Sequence, residues 1–221
     1  MSADKRAVIS PTILQTSSNS GLIFLSMRSR YGTLTAATDL TVTPAMVAAV
    51  SVSWGTSGSA ALETAADGLR LLAAGRNLDL PWLGINKINI TLSQPASLTS
   101  GDVVITSAAG IDYGPVTVSG SGKNYVITLA QPINAADRIT FTIGSSTVAT
   151  YTRRLDVLPG DVNDDGVVTM QDAVVVRNEY LAFAPVTIPV VFLDVNGDGV
   201  VDVNDYNTVR RFIGAQLPPV A

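Results

Sequence analysis

One twelve-residue pattern occurs twice, as DVNDDGVVTMQD at Asp161–Asp172 and DVNGDGVVDVND at Asp194–Asp205, and it limits what the C-terminal third can fold into. The copies begin 33 residues apart and agree at eight of twelve positions. Each carries oxygen-bearing side chains at positions 1, 3, 5, 9 and 12 and glycine at position 6, the spacing with which a short loop wraps a hard cation. Isolated aspartates in surface turns give no reason for that spacing to recur. The first set of ligands is Asp161, Asn163, Asp165, the carbonyl of Val167, Thr169 directly or through water, and Asp172. The second is Asp194, Asn196, Asp198, the carbonyl of Val200, Asp202 and Asp205. Carboxylate and carbonyl oxygens suit Ca2+, so two calcium ions are expected, with Gly166 and Gly199 making the sharp bends.

Both loops close on aspartate at position 12, a shorter arm than glutamate, which favours fewer ligands or admits magnesium. The second loop has one more carboxylate among its ligands, Asp202 in place of Thr169, so tighter binding is expected there. Pro159-Gly160 before the first loop and Pro185 and Pro189 before the second argue against entering helices. Exiting helices are expected near residues 169–182 and 202–213. Their apolar stripes include Met170, Ala173, Val176 and Tyr180 in one, and Val203, Tyr206, Val209 and Phe212 in the other. Each can bury its stripe only against the other.

Charge follows the same division. Residues 161–221 hold nine acids and three bases, a net −6, whereas residues 1–160 hold nine acids and eleven bases, a net +2. Two divalent cations would bring the tail to −2, as expected of an ion-loaded module. No dense basic stripe is present to neutralise phosphates, so nucleic acid is not an expected partner. The chain has no cysteine and no histidine, which removes disulfides, thiol and imidazole catalysis and the usual zinc ligands. Glu63, in an expected loop, and Glu179 are the only glutamates, a poor basis for a glycosidase carboxylate pair. A non-enzymatic role is expected. No apolar run reaches the roughly 20 residues of a membrane span.

Ahead of the loops, 47% hydrophobic content is enough for a substantial core. Residues 1–45 read as an N-terminal extended arm, rich in serine and threonine, with apolar bursts at Ala7–Ile9, Ile13–Leu14 and Leu22–Leu25. Residues 46–157 read as strands, expected at 47–54, 69–72, 87–92, 103–106, 116–119, 125–129, 138–143 and 147–150. Ile88, Ile90 and Leu92 alternate with Asn89 and Thr91, and Ile139, Phe141 and Ile143 alternate with Thr140 and Thr142. Such period-two patterning predicts a half-buried antiparallel sheet, and the short spacing of turns favours a β-sandwich. Gly120–Lys123 reads as a hairpin turn and not a phosphate cradle. Trp54, Trp82, Tyr113 and Tyr125 are expected in the core, with a sugar-stacking surface as the alternative. Residues 153–160 read as a linker, and 158–221 as the calcium-binding module.

The paired loops with aspartate at position 12, the missing entering helices, and Arg177 and Arg210 at matching places in the following helices resemble a type I dockerin module. The resemblance covers about residues 160–216. It implies a fold organised by two calcium ions, docking onto a cohesin-like protein, and a place in polysaccharide-degrading or cell-surface complexes. Partner-binding positions implied by it are Met170, Gln171, Arg177, Val203, Asn204, Arg210 and Arg211. The small hydroxyl pair common in that family at loop positions 10 and 11 is absent from both repeats. The stretch 84–155, with NKINITLSQPASL at its start, resembles immunoglobulin-like modules that precede dockerins in secreted bacterial proteins, including those of planctomycete-like organisms.

The expected fold is mainly β with a small α C-terminal module: an Ig-like antiparallel β-sandwich followed by a dockerin-like pair of calcium loop-helix motifs. The expected setting is extracellular or at the cell surface. Two functions follow. In one the chain is a structural subunit that binds copies of itself into a fibre or surface layer by exchange of the arm with a sheet edge. In the other it is an adaptor for a cohesin-like partner. The departures at the docking positions tilt the sequence reading toward the structural subunit.

Overall fold

A computed structural model describes residues 12–13, 22–29, 32–39 and 43–220. Met1–Pro44 and Ala45–Ala221 form two compact units. In the first, β1 (Thr12–Ile13), β2 (Leu22–Ser29) and β3 (Gly32–Asp39) form an antiparallel sheet with β2 in the middle. The expected extended arm is therefore paired with itself over these residues: Leu22–Leu25 lies opposite Ala36–Asp39, and Leu25 also opposite Ile13. The apolar residues at 7–9 and Leu14 lie outside the described residues.

The second unit takes in both the β region and the paired loops, so the expected boundary at 157/158 falls inside it. Its strands are β4 (Val47–Trp54), β5 (Gly58–Thr64), β6 (Arg70–Ala73), β7 (Ile85–Leu92), β8 (Val103–Ser107), β9 (Thr117–Ser121), β10 (Asn124–Ile133), β11 (Asp137–Ile143) and β12 (Tyr151–Val157). They join edge to edge as one sheet in the order β8-β11-β12-β6-β5-β4-β7-β10-β9. Every pairing is antiparallel except β12 with β6. One continuous sheet thus stands where two facing sheets of an Ig-like sandwich were expected. Val103 of β8 and Tyr125 of β10, from opposite ends of that order, share one buried cluster, so the sheet curls over its core as an open half-barrel.

Alternation builds that core. Val52, Ile88 and Ile127 form one row across β4, β7 and β10, and all three are fully buried. Each such side chain contributes roughly 1.5–3 kcal/mol of burial. Trp54 and Trp82 stack at 3.9 Å and are buried with Tyr113 and Tyr125, which places all four in the core and leaves no sugar-stacking surface among them. Residues 120–123 do turn β9 into β10, with Gly122 at φ 64°. Three strand expectations needed correction. Glu63 lies in β5, not in a loop; the expected 147–150 strand is only a bridge at Val148; and the expected linker at 153–160 is largely β12.

The C-terminal part adds α1 (Met170–Leu181), α2 (Val190–Leu193) and α3 (Val203–Arg211). The two exiting helices lie where the stripes predict, but α2 enters the second loop, where prolines argued against a helix. Pro189 serves as its N-cap, and a proline at a helix start loses no internal hydrogen bond. Phe192 joins the sheet's core while Leu193 joins a second cluster with Leu158, Val162, Val168, Ala173, Val176, Val195 and Val209. One helical turn therefore stitches the two cores together.

Candidate metal centre

The two loops fold with the same internal bonds. Asp161 Oδ1 accepts from the amides of Asp164 and Asp165, and Oδ2 from Gly166 at 2.7 Å. Asp194 accepts from Gly197, Asp198 and Gly199 in the same way. At the far end, Asp172 accepts from the amides of Asn163 and Thr169, and Asp205 from those of Asn196 and Asp202. Positions 1 and 12 are thereby locked to the backbone of the loop that they close. The amide groups of Asn163 and Asn196 reach the carboxylates of Asp165 and Asp198 at 2.9 and 3.1 Å, bringing positions 3 and 5 together. Gly166 and Gly199 sit at φ 89° and 96°, where a β-carbon would be strained.

Position 9 has a second task. Thr169 and Asp202 are the N-caps of α1 and α3, accepting from the amides of Gln171 and Asn204. Asp202 also takes the Asn204 side-chain amide. Each cap pairs with the position-12 aspartate in a capping box, so the same two acids close the loop and start the helix. Position 10, Met170 or Val203, is then the first residue of its helix.

Electrostatics favour a cation. Asp161, Asp172 and Asp205 are fully buried and Asp194 nearly so. Burial raises the carboxyls of Asp172 and Asp205 above the usual range, opposed by the amides that donate to them. No three acidic side chains among the described residues gather as a ready-made metal cluster. That is consistent with a donor set in which Asn163, Asn196 and backbone carbonyls share the work. Hard oxygens, buried acids and loops already bent by Gly166 and Gly199 fit calcium.

The sheet holds both loops from behind, through residues that sequence reasoning missed. Behind the first, Arg76 donates to the carbonyls of Asp161 and Val162 and to Asp79, whose carboxylate lies 3.2 Å away. Asp164 accepts from the amides of Asn77 and Leu78 and pairs with Arg76 at 3.4 Å. Burial, then the charge of Asp161, pushes the Asp79 carboxyl up to about 9. Behind the second loop, Trp54 Nε1 donates to the carbonyl of Asp194 at 3.0 Å, and the amides of Thr56 and Ser57 both donate to that of Gly197. The segment after α3 clasps loop one, Val168 pairing with Gly214 and Ala215. Only a buried arginine in the run GRNLDLPW signals this in the sequence, and a lone arginine is not a motif.

Of the docking positions, Met170, Gln171, Val203, Asn204, Arg210 and Arg211 are exposed, whereas Arg177 is half-buried over the ring of Phe183. Arg210 lies over Tyr206, and Arg210 and Arg211 occupy the last turn of α3, where positive charge suits the helix dipole. No described helix is long and apolar enough to cross a membrane.

Neither the curated proteins nor the solved structures contain a match to this chain. A protein-family model does match, over about a quarter of the length and across both loops: residues 159–214 correspond to the dockerin type I domain.

Proposed function

We propose that the C-terminal module is a calcium-organised docking element, loaded with two ions, that binds a cohesin-type protein outside the cell or at its surface. The rest of the second unit travels with it as a rigid, non-catalytic β scaffold. One observation carries this reading: the loops are anchored through buried residues, Asp161, Val162, Asp194 and Val195, while the starts of α1 and α3 and the last turn of α3 stay exposed. Met170 and Val203, 50% and 47% exposed, put apolar side chains where dockerins commonly carry hydroxyls. The partner's complementary face is accordingly apolar at those two points and acidic opposite Arg210 and Arg211. The self-assembling subunit loses ground, because Leu22–Leu25 is already paired along its length with Ala36–Asp39, and Leu25 with Ile13 as well.

The test is capture of the full chain on a panel of cohesin modules, with calcium and with chelator. Binding in calcium only, weakened at least about tenfold by the double change Arg210→Glu, Arg211→Glu, is the expected result. If no cohesin binds, or chelator makes no difference, the docking reading is wrong; filaments of the chain alone would restore the structural subunit.

A further inference from the structure

The ligand positions of loop one include three carboxylates, Asp161, Asp165 and Asp172, against four in loop two, Asp194, Asp198, Asp202 and Asp205. The shortfall is at position 9, where Thr169 corresponds to Asp202. Beside loop one the sheet supplies an acid. Asp79 is fully buried; its Oδ1 accepts from Arg76, and its Oδ2 has no hydrogen-bond donor. Its neighbour is another acceptor, the carboxyl of Asp161, with Asp164 also within electrostatic reach. Arg76 bonds to Asp79 and to the Asp161 carbonyl, so the loop's first ligand and the outside acid are held on one guanidinium. Arg76 cannot cancel Asp79, Asp161 and Asp164 together. A divalent cation in the loop would supply the positive charge that this group of buried oxygens lacks.

We infer that Asp79 is the outer carboxylate of the loop-one ion site, a positioning residue that fixes Asp161 from behind and restores the negative charge that Thr169 does not provide. The first site is then completed by the sheet, while the second is self-sufficient in charge and receives from behind uncharged donors: Trp54, backbone amides and the hydroxyls of Thr56 and Ser57. This rests on the calcium reading above. It also removes the sequence's reason for expecting the second loop to bind more tightly.

The sign of one substitution separates this role from a purely structural one. In Asp79→Asn the amide oxygen still accepts from Arg76, and the amide nitrogen gives Asp161 a donor. The ion-free chain should therefore melt at the same or a higher temperature in chelator, while its gain in melting temperature on adding calcium shrinks. A structural residue would lower both melts alike. Calcium titration calorimetry on the full chain locates the effect: with Asp205→Ala disabling loop two, Asp79→Asn is expected to weaken the remaining site roughly ten- to a hundredfold. With Asp172→Ala disabling loop one, it should change the remaining site less than about twofold. Unchanged affinity at loop one, equal losses at both loops, or equal lowering of both melts would overturn the inference while leaving the calcium reading in place. A parent chain that takes up no calcium would overturn both.

Discussion

The two loops carry the same internal bonds but lean on different chemistry. Loop one rests on a polar cradle of Arg76, Asp79 and the amides of Asn77 and Leu78. Loop two rests on Trp54, itself stacked on Trp82, and on the close approach of Gly55 to Gly197. Position 4 records the difference. Both residues there are left-handed, Asp164 at φ 64° and Gly197 at φ 71°. Asp164 extends a carboxylate to the cradle, whereas a β-carbon on Gly197 would lie 2.5 Å from Trp54 Cδ1. In a duplicated motif, then, ion chemistry holds the interior constant and the neighbouring surface decides where the copies diverge.

That contrast can be broken at three places. Arg76→Ala should have the largest effect, because it strips donors from two loop carbonyls and from both the carbonyl and the carboxyl of Asp79. A loss of about 3–5 kcal/mol in denaturant unfolding is expected, and a loss below about 1 kcal/mol would mean that loop one does not depend on its cradle. Gly197→Ala comes next, at about 1–3 kcal/mol for overpacking against Trp54. Tryptophan emission should shift with it; a neutral result would remove the aromatic wall from the comparison. Asp164→Gly should cost least, under about 1 kcal/mol, because relief at a left-handed position offsets lost hydrogen bonds. Were Asp164→Gly to cost more than Gly197→Ala, the two supports would have to be ranked the other way.

Much of this was legible in the sequence, because ion ligation and alternation both leave fixed spacings. The loops, both exiting helices and the strands around Ile88 and Phe141 are placed by period alone. β5 escaped because the inward positions of Gly58–Thr64 are Gly58, Ala60 and Leu62, and the first two are too small to mark an alternation in the sequence. β12 was hidden by Arg153 and Arg154; the second is neutralised only in the fold, where Asp156 binds Arg154 at 2.7 Å. A single curled sheet instead of two facing ones depends on the parallel pairing of β12 with β6, a long-range choice with no local signature. The cradle was illegible for the same reason: Arg76 and Asp161 stand 85 residues apart.

The four residues of α2 have a mechanical consequence. With Phe192 anchored in the sheet's core and Leu193 in the core beneath the helices, the join has no length of chain free to act as a swivel. A protein that grips α1 and α3 therefore also sets the direction in which the β-sheet points. If the module docks as proposed, it would transmit orientation as well as attachment, unlike a module on a flexible tether.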